Sequence, residues 1–188
     1  MRNLASTYRQ DVDGFGLVTI RPLDPDTDID LIHGWVSQER ARFWGMRDAG
    51  RDRVEEIYRY LDSLTTHHAW LVHRDDTPVA LFQTYDPAAD PVGEYYEVLP
   101  GDHGTHLLIG APTGIERGFT GTLLNVLFGF VFADPRHQRV IAEPDARNEK
   151  AVRRLLRTGF VAGPLIDLPE KQARLLFLDR ETFETRRP

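Results

Sequence analysis

Hydrophobic residues along the chain come in short blocks, and the spacing within each block says which element it builds. Residues 17–21, Leu-Val-Thr-Ile-Arg, form a β-type run that Pro22 stops. Asp24-Pro25-Asp26-Thr27 then opens a helix whose Ile29, Ile32, Trp35 and Val36 fall on one face. Val54, Ile57, Tyr58, Leu61 and Leu64 repeat that spacing in a second helix. The apolar runs 69–73 and 79–85 are joined by Arg74-Asp75-Asp76-Thr77-Pro78, which predicts a hairpin. Residues 86–104, rich in Asp, Pro and Gly, predict a long loop with room for one short strand. Strand 105–109 ends at Gly110-Ala111-Pro112-Thr113-Gly114. A helix over about 120–133 is apolar on nearly all sides and is therefore expected to be buried. Strand 138–142, helix 148–157 closed by Gly159, and strands 160–166 and 174–178 complete the pattern.

These elements predict an α/β fold with a mixed, twisted sheet flanked by helices. The strand–helix–strand unit over 105–142 requires a parallel pair with a right-handed crossover, and the other strands can be antiparallel. Residues 1–16 are polar, lack periodicity and are expected to be a tail; 17–188 are expected to form one domain, since no repeat or linker divides them. Ligands are expected where such a sheet changes direction.

Composition narrows the function. The 188 residues are 41% hydrophobic and 28% charged, as in ordinary globular proteins. A net charge of −6 argues against a nucleic-acid partner. Without cysteine there is no disulfide, thiolate zinc site or cysteine nucleophile, and no metal is expected. Met1–Ser6 is not followed by an apolar segment and no stretch of about 18 apolar residues occurs. The expectation is a cytoplasmic protein with no membrane partner.

Three places carry candidate chemistry. Gly114, Gly118 and Gly121 precede the buried helix, where glycines and helix N–H groups suit a phosphate; an ordinary glycine-containing turn fits equally well. His106 opens an apolar strand and is either a general base or a structural histidine bonded to backbone. Glu143-Pro144-Asp145-Ala146-Arg147-Asn148 puts an acid at the end of a short strand and opens a helix; Asp145 and Asn148 are either functional or caps.

Taken together, several motifs resemble the siderophore-biosynthesis branch of the GNAT-type N-acyltransferases, the aerobactin and alcaligin type. They are Trp35-Val36 with Arg40-x-x-Phe43-Trp44-Gly45-Met46, Gln83-Thr84-Tyr85-Asp86, and Gly101-Asp102-x-Gly104-x-His106-Leu107-Leu108-Ile109. Phe132-Ala133-Asp134-Pro135, Arg139-Val140-x-x-Glu143-Pro144-Asp145-x-Arg147-Asn148, Gly159-Phe160 and Leu168-Pro169-x-Lys171 follow in order. The resemblance covers roughly residues 17–180. It implies a GNAT fold, an acyl-CoA donor (acetyl-CoA or succinyl-CoA) and a hydroxamate product on an N-hydroxylated lysine, ornithine or diamine. It implies His106 and Asp145 as the catalytic pair. It implies a donor site at Leu108, Ile109, Gly110, Gly114, Arg117, Gly118, Thr120, Gly121 and Asn148. It implies an acceptor site at Trp44, Gln83 and Tyr85, with siderophore-pathway enzymes or an acyl carrier protein as partners. Arg117-Gly118-Phe119-Thr120-Gly121 is a degenerate form of the family's pyrophosphate arm, and Leu155 stands where many members carry a tyrosine that protonates the leaving thiolate.

An N-hydroxylated amine is much less basic than an alkylamine, so it arrives largely neutral and the base mainly removes a proton from the tetrahedral intermediate. At about 3.3 Å per residue, strand geometry would hold His106 and Asp145 roughly 13 Å apart, which leaves at most one of them as the base. Two other readings stay open. One is an aminoglycoside or polyamine N-acetyltransferase with an acidic cleft from Asp86, Asp90, Glu94 and Glu97; the other is a non-catalytic acyl-CoA-binding module.

Overall fold

The computed structural model describes residues 7–110 and 116–186. Eight strands join in one sheet in the order β1-β2-β3-β4-β5-β6-β8-β7. The chain divides into two compact units, residues 1–83 with 107–117 and residues 84–106 with 118–188, so β4 (Thr77–Tyr85) and β5 (Asp102–Ile109) contribute to both.

In the first unit, β2 (Gly16–Pro22) pairs antiparallel with β3 (His67–Arg74), and α1 (Ile29–Val36) and α2 (Arg51–Ser63) follow the predicted apolar faces. Ile29, Ile32, Trp35 and Val36 pack with Val54, Tyr58, Leu71, Leu81 and Leu108 into one core. The predicted hairpin turns at Asp75 and Asp76, both in the left-handed region (φ 46° and 64°), and the Asp75 carboxylate accepts the Leu17 N–H at 2.9 Å. Part of the expected tail is ordered: β1 (Tyr8–Val12) pairs antiparallel with β2. Its residues alternate half-buried and exposed on a polar edge strand, so no hydrophobic block announces it.

In the second unit, β5 and β6 (Arg139–Ala142) are parallel, with Asp102 opposite Arg139 and Gly104 opposite Ile141. Between them runs α3 (Phe119–Phe132), buried on most of its faces as its composition predicts. β6 pairs antiparallel with β8 (Lys171–Asp179), which pairs with β7 (Val161–Leu168). α4 (Glu149–Thr158) begins at Asn148, whose side chain accepts the Ala151 N–H, and ends at Gly159 with φ 111°. A short C-terminal helix, α5 (Arg180–Arg186), follows β8 unforeseen, because its one buried apolar residue is Phe183.

Two details differ from expectation around residues 86–104. The loop folds as two single turns, Pro87–Ala89 and Pro91–Glu94, capped by the Asp86 and Asp90 carboxylates, in place of a strand. β5 starts at Asp102, three residues earlier than the apolar run suggests. The charge at that position hides the strand, and the structure neutralises it. Arg139 donates to both Asp102 carboxylate oxygens at 2.7 and 2.8 Å, and Tyr96 and the Leu99 N–H also donate to it.

Candidate active site

The parallel register decides which groups meet. Gly104 faces Ile141, so His106 and Glu143 each lie two residues beyond that pair, on adjacent strands and on the same face. The His106 Nε2 and Glu143 Oε1 are hydrogen-bonded. The other carboxylate oxygen, Oε2, accepts the Tyr85 hydroxyl at 2.6 Å. Lys171, the first residue of β8, brings its ammonium to 3.8 Å from Oε1. Glu143 is 4% exposed, whereas the His106 side chain is one-third exposed, so the charge is held inside and the imidazole reaches solvent.

Electrostatics fixes the protonation pattern. Burial pushes the Glu143 carboxyl up, but His106, Lys171 and the Tyr85 hydroxyl outweigh it and hold it below its ordinary value. Burial, with Glu143 beside it, pushes the Tyr85 phenol far above its ordinary range, so it stays a donor. An ionised carboxylate only accepts. Neutral His106 therefore carries its proton on Nε2, toward Glu143, and its lone pair on Nδ1. This is the geometry by which a carboxylate orients a histidine base.

His106 and Asp145 are not brought together as a hydrogen-bonded pair. Asp145 accepts the Arg147 backbone N–H at 2.9 Å and its guanidinium at 2.7 Å, and hydrogen bonding to Arg147 lowers its pKa. Its carbonyl accepts the Asn148 N–H, and it bridges to Ala173 of β8. These bonds shape the entry into α4. The partner of His106 is instead Glu143, which the sequence shows as a strand-end acid. The signal that finds it is equal spacing, since 102 to 106 on β5 matches 139 to 143 across the parallel pair.

The other candidate residues fall into separate groups. Trp44 and Gln83 converge on the buried Tyr58 hydroxyl in the first unit; Gln83 donates to it at 3.4 Å, and Trp44 packs against the core that holds it. Tyr85 is 1% exposed and directs its hydroxyl to Glu143. Leu108 is buried, the Ile109 carbonyl accepts the Arg40 guanidinium, and the Gly110 N–H donates to the Val79 carbonyl at 2.6 Å. A side chain at Gly110 would run into the Trp35 indole, 2.5 Å away. Arg117 and Gly118 are exposed, and Gly118 heads α3 at φ 89° with no side chain to cap its first turn. Thr120 and Gly121 are half-buried in that turn, Asn148 caps α4, and Gly114 lies outside the described residues. No group of three or more His, Asp or Glu side chains among the described residues could hold a metal ion, and no helix among them is long and apolar enough to cross a membrane.

In a mixed sheet whose β5 and β6 run parallel, a histidine hydrogen-bonded to a carboxylate at the end of that pair is of a class of sites able to accept a proton. The comparisons make the class specific. Residues 24–168 match the acetyltransferase (GNAT) domain, and the chain belongs to that family of acyltransferases. An N(5)-hydroxyornithine:cis-anhydromevalonyl coenzyme A-N(5)-transacylase of Beauveria bassiana is 28% identical over 175 residues, covering 90% of this chain and 37% of that protein. An aminoglycoside N(6')-acetyltransferase type 1 of Klebsiella pneumoniae is 22% identical over 175 residues, covering 90% of this chain and 87% of that protein. A crystal structure of an aminoglycoside acetyltransferase in complex with coenzyme A superposes with a TM-score of 0.80 at 21% identity, covering 91% of this chain and 99% of that one. The chain thus spans about a third of the length of the transacylase and most of the aminoglycoside enzyme.

Proposed function

We propose that the protein is a cytoplasmic acyl-CoA-dependent N-acyltransferase that forms a hydroxamate on an N-hydroxylated lysine, ornithine or diamine. The observation that carries this reading is the charge balance at His106. The buried Glu143 carboxylate already faces His106 and Lys171, and Asp145 is matched by Arg147. Such a site suits an acceptor nitrogen that arrives neutral better than one that arrives as an ammonium ion. The hydroxyornithine transacylase among the relatives supports the same acceptor class.

The chemistry follows from the tautomer. The acceptor nitrogen attacks the thioester carbonyl of acetyl-CoA or succinyl-CoA, and the C–N bond forms. His106 Nδ1 takes the proton from that nitrogen, and Glu143 stabilises the imidazolium through Nε2–H. The C–S bond then breaks and CoA leaves as thiolate, to be protonated by solvent or by the imidazolium. Leu155 offers no proton for that step. On the donor side, α3 has 14 residues and begins at an uncapped glycine, which suits the CoA pyrophosphate. Asp145 and Asn148 serve in this reading by shaping the start of α4.

The second reading, an aminoglycoside or polyamine N-acetyltransferase, is favoured by the relative that this chain matches over most of its length. Its acidic cleft would draw on Asp86, Asp90, Glu94 and Glu97, of which Asp86 and Asp90 also cap backbone turns. Thiol release from acetyl-CoA and succinyl-CoA, measured with N-hydroxylated lysine, ornithine and diamine beside their parent amines and an aminoglycoside, separates the two. The hydroxylated acceptors are expected to give kcat/KM at least about tenfold higher than their parents. Equal or better turnover of the parent polyamine or the aminoglycoside would replace the first reading with the second.

A further inference from the structure

Gly104 is buried on β5, two residues before His106, so the two share a face of the sheet. A Cβ on Gly104 would lie 2.1 Å from two ring carbons of Tyr85. The space that any other residue would fill at position 104 is thus taken by that ring. It passes over the strand, lies 5.0 Å from the His106 ring at an interplanar angle of 37°, and ends with its hydroxyl on Glu143. A phenylalanine would fill the same volume, so packing alone does not account for the hydroxyl.

We propose that Tyr85, seated by Gly104, is a positioning residue for His106. The Tyr85 hydroxyl holds Oε2 of Glu143, so Oε1 stays aimed at Nε2 and the imidazole keeps one tautomer and one plane. A carboxylate held at one oxygen can rotate about its Cγ–Cδ bond. Held at both, it cannot turn without breaking a buried hydrogen bond. Tyr85 is buried and acts through Glu143. Charged groups at this site include Glu143 at the end of β6, which binds His106, and Lys171 at the start of β8, which approaches Glu143. Lys171 leans on the same oxygen as His106, Oε1, so Oε2 is left to Tyr85.

The proposal rests on the reading of His106 as the base, and its test keeps the two apart. Ring nitrogen-15 NMR of the whole protein reports the His106 tautomer without any turnover. Kinetics with acyl-CoA and the best acceptor report its use. In the neutral form of His106, wild type is expected to show the ring proton on Nε2. Tyr85→Phe is expected to show a mixture of tautomers, and to lower kcat roughly tenfold, the size of one hydrogen bond to a charged group, with both KM values within about twofold. Gly104→Ala is expected to give the same signature, because its methyl displaces the ring. Where that variant fails to fold, Tyr85→Phe, which keeps the ring, decides alone. A wild-type tautomer and wild-type kcat in Tyr85→Phe overturn the proposal. A mixed tautomer with unchanged kcat supports the positioning but removes His106 as the base.

Discussion

At the scale of single residues, Asp145 and His106, which the resemblance pairs, are held by different partners. Asp145 is 5% exposed, while the Arg147 that binds it is 78% exposed, and its bonds serve the turn into α4. Asp145→Ala is therefore expected to lower stability by about 1–2 kcal/mol, through one lost hydrogen-bonded charge, and to leave kcat of the folded protein within about tenfold. His106→Ala is expected to keep the fold and lower kcat by about 10²-fold or more, the usual size for a general base. Urea unfolding and steady-state turnover on both variants check this, and the reverse pattern would return the base to Asp145. Glu143 was visible in the chain only as an acid after an apolar strand. Its partners come from β4, β5 and β8, three segments whose separation in sequence no local spacing reveals.

Among the elements, α4 shows most directly what local chemistry can set. Asn148 accepts the Ala151 N–H at 3.2 Å, Glu149 lies in the first turn, and Gly159 ends the helix in the left-handed region. The cap and the glycine were both legible, because capping is a bond between near neighbours. Asn148→Ala is expected to cost about 1 kcal/mol, and Asn148→Asp close to nothing, by urea unfolding. A loss of acyl-CoA affinity in Asn148→Ala without that stability cost would instead mark Asn148 as a donor-binding residue. β1 and the first residues of β5 were not legible: β1 pairs with its neighbour β2 through polar residues that carry no periodic apolar signal, and Asp102 of β5 is neutralised by Arg139, far along the chain.

For the whole molecule, the lowered carboxylates predict how stability follows pH. At Asp28 and Glu143 burial raises the pKa but is outweighed, by Arg21 hydrogen bonding at Asp28 and by His106 at Glu143. At Asp145 the Arg147 hydrogen bonds dominate. A carboxyl whose pKa is lower folded than unfolded binds fewer protons in the folded state. Its contribution is complete above the unfolded value, about pH 4, and is lost as pH falls through the folded one. Urea midpoints are therefore expected to be flat from these groups between about pH 5 and 7 and to drop steeply below about pH 4. Stability that held or rose down to pH 3 would show that these pairs do not bear on folding.

The sequence by itself determined the order of the main elements from β2 to β8, the buried α3, the parallel β5–β6 pair and the α4 caps. Each follows from the period of apolar residues, from the length of a connection, or from bonds between neighbours. Its ordered motifs also pointed to the acyltransferase family that residues 24–168 match. The tertiary structure alone decided the partners of the charged groups. It gave His106 to Glu143 and turned Tyr85 inward over Gly104. Such choices depend on strand register and on which side chain fills which space. Both are set by contacts between distant segments, and no single segment encodes them.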